Sequence, residues 1–167
     1  MKTICLYFEI HQIIHLKRYR FFDIGTDHYY YDDYENDRSI SYIAENSYMP
    51  ALDTLLQMIK ENGKYFKVAF SLSGVGMEQL ELHAPQVLDK LQELNNTGCV
   101  EFLAEPYSHG LSSLANQDSF VADVKKQAAK ITEYFGKKPT VLRNSSLIYS
   151  DDIGLQAAQL GFKGMLT

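Results

Sequence analysis

Pro139-Thr-Val-Leu-Arg-Asn-Ser-Ser-Leu-Ile-Tyr-Ser-Asp-Asp152 reads as a short buried strand that runs into a polar turn, with a helix opening at Ser150 or Asp151. Thr140, Val141 and Leu142 suit a strand packed on both faces. Arg143, Asn144, Ser145 and Ser146 follow at its C-terminal end. In parallel α/β folds that end is where ligands bind and chemistry happens. This is the place to expect a nucleophile or an acid, and what stands there is Ser-Ser.

Working outward, the same grammar repeats. Upstream, residues 99–104 form an apolar strand that ends in the loop Glu105-Pro-Tyr-Ser-His-Gly110. Phe120, Val124, Ala128, Ile131 and Phe135 then recur at helical spacing. Further back, residues 66–72 are a strand closed by the turn Ser-Gly-Val-Gly, and residues 3–10 are a first strand ending at His11-Gln12. A helix opens at Pro50, carries Leu52, Leu55, Leu56 and Ile59 on one face, and meets Gly63 where a C-terminal cap belongs. A second helical pattern starts near Met77 and continues through Val87, Leu88, Leu91 and Leu94, with Pro85 breaking it in two. Downstream, a helix over 151–160 precedes a fifth strand at 162–167. Residues 17–48 show no sustained period, and a long loop or small excursion is expected there.

The resulting order, β-α-β-α-β-α-β-α-β, predicts parallel strands joined by right-handed crossovers. Five such strands fit an open sheet or the first part of a barrel. The chain stops inside the apolar run Gly164-Met-Leu-Thr167, with no helix after it. A bare final strand is a liability, so the expectation is a piece of a longer protein.

The chain has 167 residues, 46% apolar and 22% charged, which fits one domain able to bury a core. A net charge of -5 argues against nucleic acid as partner. No window approaches the roughly 20 apolar residues of a membrane span, and the start is too short in apolar residues for a signal peptide. Cys5 and Cys99 sit in apolar runs and read as reduced core residues. A cytoplasmic location is the simplest expectation.

Four strand ends gather polar groups: His11-Gln12, Ser71 to Gly74, Glu105 to His109, and Arg143 to Ser146. A His, a carboxylate, an Arg and several hydroxyls around one cleft suit a polyhydroxylated ligand. Glu101 lies inside the third strand, where a lone carboxylate needs a partner or an exposed face. His11 and His15 have a metal-like spacing of four, but that spacing aligns ligands on a helix and His11 leaves a strand. A Ser146-His109-Asp151 triad lacks the Gly-x-Ser-x-Gly elbow. Ser71-Leu-Ser-Gly-Val-Gly76 lacks the Lys of a phosphate loop.

Phe8-Glu-Ile-His11-Gln12; Phe66 to Val75 with Glu78-Gln79; Gly98-Cys-Val-Glu-Phe-Leu103 with Tyr107-Ser-His109-Gly; and Leu142-Arg-Asn-Ser-Ser-Leu-Ile-Tyr149, taken together, resemble glycoside hydrolase family 57, the α-amylase-type group of α-glucan enzymes. The resemblance runs over essentially the whole chain. It implies an α/β parallel repeat forming the N-terminal part of an incomplete (β/α)7 barrel, spanning residues 1–167. It further implies a retaining mechanism without metal or cofactor, and an α-glucan or malto-oligosaccharide as partner. His11, Gln12, Glu101, His109 and Arg143 are the substrate-binding candidates.

Two departures matter. The family's nucleophile position falls on Ser146, where the active pattern has Glu, and a retaining site needs two carboxyl groups roughly 5 Å apart. The general-acid Asp of the family falls beyond Thr167, while Asp151 and Asp152 open a helix and suit its N-terminus. The expectation is an α-amylase-like protein that acts on or binds α-glucans, with retaining hydrolysis impaired or lost. The alternatives are an active α-amylase or 4-α-glucanotransferase with a displaced nucleophile, or a metal-dependent polysaccharide deacetylase-like protein. The deacetylase is disfavoured because no Asp-Asp with two further His stands at strand ends.

Overall fold

The computed structural model describes residues 4–26 and 28–167. Its strands are β1 (Tyr7–Ile10), β2 (Val68–Leu72), β3 (Val100–Leu103), β4 (Val141–Arg143) and β5 (Gly164–Leu166). β1, β2 and β3 pair in parallel, and so do β4 and β5. A parallel bridge between Ala104 and Leu142 joins the two groups. The backbone bonds Ala104 N–H to Val141 O at 2.9 Å and Arg143 N–H to Ala104 O at 2.8 Å make that seam. The spatial order therefore follows the chain order with no reversal. An open doubly wound sheet has a reversal point, whereas a barrel does not. All five predicted strands are present, each shorter than read from sequence; Thr3, at the start of the first, lies outside the described residues.

The helices are α1 (Asp33–Ile43), α2 (Met49–Asn62), α3 (Gly74–His83), α4 (Pro85–Asn96), α5 (Ser112–Ala115), α6 (Gln117–Phe135) and α7 (Asp151–Gln159). Gly63 ends α2 and Pro85 separates α3 from α4, as the sequence predicts. Residues 33–48 differ from expectation. They are helical, with α1 leading through a π-helical turn at Ala44–Tyr48 into α2. In that turn Met49 N–H bonds Ala44 O, the i to i-5 register. The turn stands directly before Pro50, whose nitrogen has no hydrogen to give an α-helical bond. α1 was illegible because its inward face is nearly bare of apolar residues: Asn36 and Ile40 are its buried positions.

Strand alternation sets two faces. Phe8, Phe70 and Phe102 share one register row, with ring centroids 5.7 and 6.1 Å apart, on the helix-covered side. There Phe70 and Phe102 join Leu72 and the buried residues of α2, α4 and α6 in the main core, while Phe8 stays partly exposed on the edge strand β1. A second core holds Ala104, Phe120, Val124, Leu142, Ile153 and Ala157 under α6 and α7. On the opposite face, Tyr7, Ala69 and Glu101 form one row and Glu9, Ser71 and Leu103 the next. Cys99 is buried as expected, but Cys5 is exposed because it precedes β1.

Candidate active site

Arg143, at the end of β4, is 3% exposed and is the centre of the site. Its NH2 group donates to Glu9 Oε2 at 2.6 Å and its NH1 group to Glu105 Oε2 at 3.2 Å. NH1 also lies 3.3 Å from His109 Nδ1, while His109 Nε2 is 3.3 Å from Glu9 Oε1. The set is self-consistent for a neutral His109 that donates through Nε2–H and accepts at Nδ1. Burial, then the Arg143 charge, push its pKa below the usual value, against the pull of Glu9. The His11 ring stacks on His109 with centroids 4.2 Å apart, and its Nδ1 is 2.7 Å from Ser73 Oγ. Burial and the neighbouring His109 lower the pKa of His11 too.

Glu105 is fully buried. Ser71 Oγ donates to its Oε2 at 2.5 Å, but Oε1 has no partner among the described residues. Burial raises its pKa to about 7, outweighing the hydrogen bond from Ser71 and the charge of Arg143. Gln127, from the middle of α6, fixes this corner. Its Oε1 accepts from Glu105 N–H at 3.1 Å, and its Nε2–H donates to Leu72 O at 2.7 Å and Leu103 O at 3.3 Å. One buried amide thus ties the C-terminal ends of β2 and β3 together. Glu9, Glu105 and His109 form the one grouping of three metal-type side chains among the described residues. The guanidinium of Arg143 bonds all three, so the chain itself supplies the positive charge that they share. His15 is elsewhere, with its backbone held by Asn36 of α1.

The structure brings His11, His109 and Arg143 together. Gln12 stands at the rim, its Nε2–H donating to Tyr48 OH in the π-helical turn at 2.8 Å. Glu101 is not in the cluster. It shares the face of Glu9 and Ser71 but lies one row lower, exposed, accepting from Thr140 Oγ1 at 3.2 Å. Ser146 is exposed on the turn three residues beyond Arg143. Its φ is 54°, beside Leu147 at 56°, and His109 has 52°. These are the non-glycine residues with positive φ among those described, and all lie on the β3 and β4 loops. Such backbone strain concentrates at functional sites.

Sequence reasoning missed Glu9 and Gln127, and it met Glu105 only as the start of a polar loop. Glu9 precedes the candidate His11 by two residues, so strand alternation puts both on one face. Gln127 is a polar residue on the apolar stripe of Val124, Ala128 and Ile131, a signal that a buried partner awaits it.

Parallel β/α units in chain order, with a polar cleft at the strand ends, define an α/β fold of the barrel type with its site at the C-terminal ends of the strands. Residues 5–167 match glycosyl hydrolase family 57, and the chain belongs to that family. A Methanocaldococcus jannaschii protein named "Putative alpha-amylase" is 37% identical over 139 residues, 83% of this chain and 29% of that one. The crystal structure of 4-alpha-glucanotransferase from Thermococcus litoralis superposes with a TM-score of 0.68 at 16% identity, covering 96% of this chain and 21% of that one. The chitin deacetylase from Colletotrichum lindemuthianum shares the fold at a TM-score of 0.55 and 16% identity, over 68% of this chain and 48% of that one. The chain thus spans under a third of the length of the alpha-amylase-named relative and of the glucanotransferase. Among the described residues no helix is long and apolar enough to cross a membrane.

Proposed function

We propose that residues 1–167 are the N-terminal part of a family 57 barrel that binds α-glucan and has impaired or lost retaining hydrolysis. The observation that carries this is Ser146. It occupies the turn after β4 where the family pattern places a Glu, and it offers a hydroxyl in place of a carboxylate. A hydroxyl of that kind cannot replace a carboxylate nucleophile. His11, Gln12, His109 and the rim oxygens of Glu9 supply donors and acceptors for sugar hydroxyls, and this binding does not depend on the nucleophile. Glu101, one row down, is available to a longer or deeper ligand.

The test uses the full-length protein and malto-oligosaccharides. Each ~1.4 kcal/mol of lost transition-state stabilisation is tenfold in rate, so turnover should be weak or absent while calorimetry detects binding. His11→Ala or His109→Ala should abolish that binding. Ser146→Glu should restore some hydrolysis where the downstream general acid is present; the gain is limited by how well the turn orients the new carboxylate. One observation favours a second reading, an active hydrolase or glucanotransferase with a displaced nucleophile: Glu9 is a partly exposed carboxylate inside the cleft. Robust turnover that survives Ser146→Ala and vanishes in Glu9→Gln would establish that reading instead.

A further inference from the structure

Beside the cleft lies a second cavity of about 230 Å³. Tyr29 and Tyr31 form one wall, with Asp33, Glu78, Gln79 and His83 around it. The two tyrosine rings meet edge to face at 5.8 Å and are about half exposed. Tyr29 OH donates to Asp33 Oδ1 at 2.6 Å. Gln79 is only 4% exposed, and its Oε1 has no hydrogen-bond partner among the described residues. A buried acceptor left unmet is costly, and such a group asks for an explanation.

The cavity is coupled to the cleft through α3. Ser73, which caps the start of α3, contacts His11. One turn further along, Glu78 Oε1 accepts from Tyr107 OH, and Tyr107 belongs to the β3 loop that carries Glu105 and His109. The chemistry of the walls selects the ligand. Lys17 Nζ lies 4.7 Å over the Tyr29 ring, so Tyr31 offers the flat face; set next to carboxylate and amide oxygens, it suits a pyranose, which has apolar C–H faces and a rim of hydroxyl donors. Two carboxylates, Asp33 and Glu78, disfavour an anion.

We propose that this cavity is an outer subsite for one sugar ring of a neutral polyhydroxylated chain whose other rings occupy the cleft. Tyr31 packs on the ring, and a turn of the buried Gln79 side chain on binding brings its unmet Oε1 to one of the ring hydroxyls. The proposal rests on the α-glucan reading above and adds a requirement for chain length.

Calorimetry on the full-length protein with maltose through maltoheptaose tests it, in the wild type, Tyr31→Ala, Tyr31→Phe and His11→Ala. Wild-type affinity should rise with chain length. Tyr31→Ala should bind the longest chains about tenfold more weakly and leave maltose unchanged, and Tyr31→Phe should keep the rise. His11→Ala should lose binding at every length. Should Tyr31→Ala fail to fold, nitration of the wild type gives the answer: maltoheptaose, not maltose, should protect Tyr31. Equal affinities of Tyr31→Ala and wild type at all lengths, or no selective protection, overturn the subsite while the cleft reading stands. A wild type that binds no malto-oligosaccharide overturns both.

Discussion

Arg143 decides the electrostatics of the cleft. It pairs with Glu9 and Glu105 at once, one positive charge shared between two carboxyl groups. Glu105 carries the pH dependence. Its folded pKa of about 7 lies above the ordinary value of 4.5, so the folded state holds the proton more tightly than the unfolded chain. Stability from this group is then present in full below about 4.5 and declines as pH rises towards 7. The span of the shift corresponds to at most about 3 kcal/mol. His11 and His109 act in the opposite sense, since their lowered values remove stability as pH falls below 6.5. The clean measurement is therefore a difference. Melting temperatures of the wild type and Glu105→Gln, taken from pH 4.5 to 8, should diverge, with the wild type losing ground steadily up to about pH 7. Parallel curves would show that Glu105 is ionised throughout.

At the next level, α3 is the element that assembles the site, and two glycines let it approach. A Cβ on Gly74 would fall 2.2 Å from the Tyr107 ring. One on Gly76 would fall 2.8 Å from Ser73 Oγ and 3.3 Å from Ile10 O. Neither ring nor backbone can give way by that much without moving the loop that holds His109. Gly74→Ala should therefore destabilise the fold by several kcal/mol, in the range of overpacking and lost contacts. It should also weaken glucan binding, because Tyr107 and His109 shift together. Thermal denaturation and calorimetry on the one variant read both effects, and an unchanged melting temperature would mean that the Tyr107 ring swings aside freely. Helix α6 plays the complementary part, since its Gln127 holds the two strand ends that α3 packs against.

For the molecule as a whole, the open face is the dominant feature. β1 and β5 end the run of strands, and each pairs on one side only among the described residues. Large apolar side chains are exposed near the first strand, including Ile4, Leu6, Phe8, Ile13 and Leu16. Unpaired strand edges and contiguous apolar surface promote association. Residues 1–167 produced alone should therefore self-associate or precipitate, and light scattering with a thermal melt checks this. A clean monomer with a cooperative melt would show that the five-stranded unit is self-sufficient.

The sequence by itself determined the strand order, the parallel sense, the Gly63-capped helix after β1, the Pro85 break in the helices after β2, and the Ser at position 146. All of these rest on local period, turn residues and motif order, which are written along the chain. It placed the start of α3 near Met77, where Ser73 in fact caps it and the Gly74–Gly76 turn is already helical. It did not determine α1, because a helix with a nearly polar inward face has no period to read. Nor did it determine the partners in the cleft. Glu9, Glu105, Gln127 and Arg143 come from β1, the β3 loop, α6 and β4, and only the close packing of parallel strands brings them within hydrogen-bond reach. The height of a residue along its strand is likewise a tertiary property. Glu101 and Glu105 stand four residues apart, two same-face repeats, on one chain segment, and tertiary packing decided that Glu105 meets Arg143 while Glu101 meets Thr140 in the open.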